Sequence, residues 1–130
     1  MLMFTIRDET AFGRTTGTTV VELLTERLTV RELIRNRVYQ EVEDFNRRRS
    51  DVFRGLVDPA GAERTPNGLR LKAGQKIDWR DQFAKACDAF DRNGFFVLVD
   101  AKQVESLDDE LTLRPETSVS FVKLTPLVGG

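Results

Sequence analysis

Early in the chain the spacing of apolar residues changes from every second position to every third or fourth, and that change limits the folds open to it. Leu2, Phe4 and Ile6 alternate with Thr5, Arg7 and Asp8, the period of a strand with one buried face. Residues 9–17 carry Gly13, Gly17 and several threonines and read as a turn or short loop. The β-branched and apolar run over 18–24 reads as a second strand, close enough in sequence to the first for a hairpin. Thr29-Val30-Arg31-Glu32 then has the form of a capping box, in which the threonine hydroxyl accepts the amide three residues on and Glu32 reaches back to the cap amide. Apolar residues at Val30, Leu33, Ile34, Val38, Val42 and Phe45 keep one face at period 3.6, which predicts a helix over residues 30 to about 47.

Residues 50–75 are the least regular part, with Gly55, Pro59, Gly61, Pro66, Gly68 and Gly74. They read as an insertion with short strands over 53–57 and 69–71, a small hairpin, and a flexible loop over 58–68. Asp78 is placed to cap a second helix whose apolar stripe is Trp79, Phe83, Ala86, Cys87 and Phe90, and Asn93-Gly94 tolerate its left-handed end. The apolar run Phe95–Val99 suits a central strand covered on both faces, followed by a turn at Asp100-Ala101-Lys102 and the start of a return at Gln103-Val104. Leu107, Leu111 and Leu113 lie among acids, and Pro115-Glu116-Thr117 form another turn. Residues 117–124 alternate again, with Val119, Phe121 and Lys123 on one side and Ser118, Ser120 and Val122 on the other. This is the expected last strand.

Composition narrows the chemistry. The chain has 130 residues, 40% hydrophobic and 32% charged, too apolar to stay disordered, and long enough to bury roughly two-thirds of its unfolded surface. It contains no histidine, which removes Ser-His and Cys-His catalysis, histidine-ligated metal and the usual proton shuttle near neutrality. With Cys87 alone no intrachain disulfide forms. The start of the chain is charged too soon for a signal peptide, and no apolar run approaches the ~20 residues of a membrane span. A net charge of −1 gives no global attraction to nucleic acid or acidic membrane. A cytoplasmic protein without catalytic equipment of its own is expected.

Individual residues mostly take plain readings. Cys87, on an apolar stripe with no histidine to activate it, reads as a core thiol. Arg47-Arg48-Arg49 suit a solvated helix end, favoured there by the macrodipole. Asp108-Asp109-Glu110 lack a calcium-loop frame and read as a solvated turn, or as a face for a basic partner. No phosphate-loop lysine accompanies residues 13–17. Trp79 reads as a core or lid residue.

A hairpin, a capped helix and two further strands follow one another in β-grasp order. Phe96-Val97-Leu98-Val99-Asp100, Lys102-Gln103-Val104, Leu107, Leu113-Arg114-Pro115-Glu116-Thr117, Val119-Ser120-Phe121 and Pro126-Leu127-Val128-Gly129-Gly130 resemble, in order and spacing, the C-terminal half of the MoaD and ThiS sulfur-carrier proteins. The hairpin and the helix capped by Thr29 resemble ubiquitin-like proteins more loosely. Residues 50–95 depart from that pattern by their length and an added helix. The resemblance implies an α+β, ubiquitin-like β-grasp fold with an inserted segment (about 50–94) and an additional helix, over 1–126, followed by a flexible tail at 127–130.

The resemblance also implies a chemistry at Gly130. In the family an adenylating enzyme transfers AMP from ATP to the terminal carboxylate, and sulfur then captures the acyl group. Gly129 and Gly130 have no Cβ, so their backbone can enter a narrow channel. Pro126 stops the strand ladder, and Leu127 and Val128 are placed to be gripped by the partner enzyme. The size of the insertion favours a bacterial ubiquitin-like protein modifier transferred to target amines over a sulfur carrier ending in a thiocarboxylate. A non-covalent β-grasp interaction domain is the third reading. The expected partners are the adenylating enzyme, a conjugating enzyme and a deconjugating protease, with no nucleic acid and no membrane. The expected protein is a monomer that needs no metal and no cofactor and is not itself an enzyme.

Overall fold

Alternation at the start of the chain builds an antiparallel hairpin of β1 (Leu2–Thr10) and β2 (Thr15–Leu23), in a computed structural model that describes residues 2–48, 52–66, 68–71 and 75–124. Both strands reach further into the loop expected at 9–17. Gly13, with φ at 82°, supplies the turn, and the β-branched Thr15 and Thr16 continue the strand instead of leaving it. A short β3 (Arg27–Thr29) leads into α1 (Val30–Arg48), which ends one residue from its expected limit. Thr29 Oγ1 accepts the Glu32 N–H at 3.2 Å, the first half of the predicted capping box.

The segment read as a hairpin and a flexible loop is instead a three-stranded antiparallel sheet. It comprises β4 (Val52–Phe53), β5 (Glu63–Thr65) and β6 (Gly68–Arg70), in the order β4-β6-β5. β5 lies within the stretch expected to be loop. Its strand residues, Glu63, Arg64 and Thr65, bury too little to show an apolar period; pairing with β6 orders them.

The second helix, α2 (Trp79–Asp91), follows Asp78, whose side chain accepts the Arg80 N–H at 2.9 Å. At its other end Asn93 takes the left-handed conformation. Gly94 N–H donates to the Ala89 carbonyl at 2.7 Å and Asn93 N–H to the Phe90 carbonyl at 3.1 Å, which closes a Schellman motif. β7 (Phe95–Val99) and β8 (Lys102–Gln103) join through Asp100 and Ala101, both at positive φ, as a two-residue primed turn requires. β9 (Glu110–Thr112), which the acids around it concealed, pairs with β3 through Leu28 and Leu111, and β10 (Val119–Lys123) closes the fold.

The main sheet has five strands in the order β2-β1-β10-β7-β8. β10 runs parallel to β1 (Asp8 beside Phe121) and antiparallel to β7 (Val97 beside Phe121). Residues from β10 and the N-terminal strand, far apart in sequence, thus share the centre. One face carries Phe4, Ile6, Val21, Leu23, Phe95, Val97, Val119 and Phe121, all buried. Against it pack Leu33, Ile34, Val38 and Val42 of α1 and Ala86 and Phe90 of α2, with Phe90 edge-on to Phe95 and Phe95 stacked on Phe121. Cover on both faces was expected for β7, but Phe96 and Leu98 there are only half-buried; β10 is buried from Val119 to Val122. β10 stands between β1 and β7, whereas β7 has only the two-residue β8 on its outer side.

Candidate functional site

Five residues carry the functional expectation: Pro126, Leu127, Val128, Gly129 and Gly130. All five lie outside the described residues. What the structure does place is the base they extend from, the end of β10 at Lys123 and the following Leu124, with the described residues that hold it.

That base is built on a buried cluster of charge. Arg37 stands on the core face of α1, fully buried, with its guanidinium 4.7 Å from the Phe121 ring centroid. Its two Nη atoms fork onto the Asp8 carboxylate of β1, Nη2 donating to Oδ2 at 2.8 Å, and its Nε donates to Glu41 Oε2 at 3.4 Å. The other Glu41 oxygen accepts the Leu56 N–H at 3.0 Å. Lys123, at the end of β10, donates from Nζ to the Gly55 carbonyl at 2.6 Å. One cluster therefore ties β1, α1, β10 and the inserted sheet together.

Burial would lower the Arg37 pKa, but Glu41 and Asp8 more than offset this and hold the guanidinium charged above its ordinary value. Burial pushes the Glu41 carboxyl up, against Arg37, the Leu56 amide and Lys123. Burial and the Arg37 charge push the Lys123 ammonium down, against Asp8, Glu41 and Asp58. No buried side-chain nitrogen or oxygen among the described residues lacks a partner, so the cluster is saturated.

Backbone approach makes the Lys123 contact possible. A Cβ on Gly55 would meet Phe53 Cζ at 2.0 Å, so only glycine lets the chain fold over that ring and present its carbonyl to Lys123. Phe53 in turn packs edge-on to Phe45 at the end of α1. Beside this contact lies an open cavity of about 510 Å³, bounded by the inserted sheet, the end of α2 and the start of β7, with Asp58, Arg64, Lys123 and Leu124 on its wall. A larger groove of about 780 Å³ follows the free edge of β2 and the end of α1, past Thr18, Val20, Gln40 and Arg48.

The other single residues fall as follows. Cys87 is half-buried and packs against the core; burial pushes its thiol up, Arg31 opposes this and Asp91 adds to it. That is a resting thiol, not an activated one. Asp108, Asp109 and Glu110 are all exposed, but only the first two belong to the turn, since Glu110 begins β9: Asp108 pairs with Arg31 at 3.2 Å, and the Asp109 carboxylate accepts the amides of Glu105 and Ser106. Arg47 and Arg48 are exposed at the end of α1, Arg47 paired with Asp44, and Arg49 lies outside the described residues. Among the described residues no three acids or cysteines gather as metal ligands, and no helix is long and apolar enough to cross a membrane.

The Arg37 cluster was missed in the sequence, although a signal for it exists. Arg37 and Glu41 sit four residues apart, each directly before an apolar member of the α1 stripe, Val38 and Val42. Charged residues so close to a core face imply partners, but the identity of those partners, Asp8 and Leu56, is a long-range fact.

No protein-family model, no curated protein and no solved structure matches this chain.

Proposed function

We propose that this chain is a ubiquitin-like β-grasp protein modifier that acts through the carboxylate of Gly130. The observation that carries the reading is the sheet order β2-β1-β10-β7-β8. In it an N-terminal hairpin and the strand leading to Gly129-Gly130 pair in parallel at the centre, with α1 packed across them. That is the arrangement expected of a β-grasp with an added helix and an inserted sheet. The anchoring of β10 by Arg37, Asp8 and Lys123 supports it further, because an acyl end delivered into another enzyme's channel needs a fixed base.

The chemistry balances without any group on this chain beyond the carboxylate. A Gly130 carboxylate oxygen attacks the α-phosphorus of ATP, giving the acyl-adenylate and pyrophosphate. A cysteine thiolate of a partner enzyme then displaces AMP to form a thioester. A target amine displaces that thiolate, leaving an amide and releasing the thiol.

The test is expression of an N-terminally tagged chain in its native cells. Trypsin cuts after Lys123 and nowhere beyond it, so a modified lysine will carry the 124–130 remnant as a branch. Intact mass of the purified protein first establishes that Gly130 bears a free carboxylate. The expected result is the branched remnant on other proteins, abolished by deleting Gly129-Gly130 and strongly reduced by Gly129→Ala at unchanged thermal stability. A mass gain corresponding to sulfur in place of one oxygen, without branched peptides, would assign a sulfur carrier instead. Partner capture that survives loss of both glycines would assign a non-covalent interaction domain.

A further inference from the structure

The outer face where α1 meets α2 carries a cluster that the tail chemistry does not use. Trp79 is half-buried and rests on the core. Tyr39 meets its ring edge-on at a centroid distance of 5.4 Å and is 45% exposed. Two guanidinium groups converge on the same indole, Arg35 from α1 at 5.2 Å and Arg80 from α2 at 5.1 Å. Both arginines are exposed. Among the described residues no carboxylate lies within 4.0 Å of either, whereas Arg31, one turn before Arg35, closes on Asp108.

This arrangement is incomplete in charge. The ring attracts each cation through its quadrupole, but the two positive groups sit no further apart than the sum of their distances to it. That upper limit is about 10 Å, the Debye length at 0.1 M salt, so they repel with only partial screening at that ionic strength. A carboxylate seated on the exposed side of each guanidinium satisfies its charge. Guanidinium forks match carboxylates in geometry, and the indole and phenol offer apolar area to the methylene stems of glutamate. Trp, Tyr and Arg are also the side chains that most often concentrate binding free energy at protein interfaces.

We propose that Arg35, Tyr39, Trp79 and Arg80 form a docking site for an acidic segment of a partner protein, with two carboxylates taken by the two guanidinium groups. In an extended segment, acids at alternate positions stand roughly 7 Å apart on one side, within the reach of the pair. A polyphosphate backbone fits less well. Glu32 and Glu43 share the α1 face with Arg35 and Tyr39 at helical spacing, and Asp78 and Asp81 flank Arg80, so the surroundings are not net positive; the fit is to two carboxylates seated directly on the guanidinium groups, and longer polyanions of either kind are disfavoured. The site does not depend on Gly129-Gly130 and stands or falls separately from the modifier reading.

Trp79 is the only tryptophan of the chain, so its emission reports the site directly. The full chain is titrated with a capped serine peptide carrying two glutamates at alternate positions, with the same peptide carrying lysine for glutamate, and with single-stranded oligothymidylate. The acidic peptide is expected to give a saturable change that weakens with salt. Arg35→Gln and Arg80→Gln are each expected to weaken it about tenfold at an unchanged thermal midpoint. No saturable response, an equal response to the lysine peptide, tighter binding of the oligonucleotide, or undiminished binding by both variants overturns the proposal.

Discussion

Arg37 shows how much of this fold hangs on one side chain. It is fully buried, and its interactions run to Asp8 on β1, along its own helix to Glu41, and to the Phe121 face on β10. Forming such a pair gains little over a hydrophobic substitute, but breaking it leaves two largely buried carboxylates without their cation. Arg37→Met should therefore cost about 3–5 kcal/mol in urea unfolding, well above a surface arginine. Glu41 makes a complementary prediction in pH. Its folded pKa is raised above the ordinary value of 4.5, so between the two values the folded state binds more protons than the unfolded chain. Stability from this group accordingly falls as pH rises from about 4.5 through the raised value. Glu41→Gln removes that decline. The stability of the variant relative to the parent, from urea unfolding at a series of pH values, should climb across that window and then level off.

Among the elements, α1 and the segment before α2 are joined by a side chain imitating a backbone. The Asn46 amide donates from Nδ2 to the Ile77 carbonyl at 3.1 Å and accepts the Ile77 N–H on Oδ1 at 3.2 Å. Ile77 is buried, so both of its backbone groups lose their partner if Asn46 is shortened. Asn46→Ala should cost about 1–3 kcal/mol and raise the hydrogen-exchange rate of the Ile77 amide selectively. The start of α1 is satisfied in the same non-local way: the N–H groups of Val30 and Arg31 donate to the carbonyls of Asp109 and Leu107. The short β3–β9 ladder holds those carbonyls in place, which gives an otherwise small pairing a purpose.

For the whole molecule, the inserted sheet is part of the core. Phe53, Leu56 and Leu71 are buried, Gln82 of α2 donates to the Val57 carbonyl at 2.9 Å, and Gly55 receives Lys123. Burying those three apolar side chains contributes on the order of 5–9 kcal/mol. That is comparable to the entire stability of a domain, typically about 5–15 kcal/mol. Replacing residues 52–71 by a short glycine-serine link should leave a chain without cooperative thermal unfolding or dispersed amide resonances. A cooperative transition near that of the parent would show the insertion to be an ornament.

Local pattern was enough for α1, α2 and the strands β1, β2, β7 and β10. All but β7 have a clear apolar period or a cap, Thr29 and Asp78 for the helices and Asn93 at the end of α2, and a period reports which face is buried whatever lies opposite; β7 was legible only as an apolar run, and its less buried face was not. The inward side of β10 was legible to its last residue, since Lys123 follows Val119 and Phe121 at alternate positions. β3, β5 and β9 were not legible. They are short and mostly exposed, and they exist because a partner strand satisfies their backbone, which no window of their own residues records. The Arg37 cluster and the cation pair at Trp79 belong to the same category, for they join residues that only the packing of distant segments brings within reach. The order of residues thus decided what each segment would bury, because side-chain spacing is local. Which segments meet, and hence which charges are paired and which are left facing outward, was decided by the tertiary structure alone.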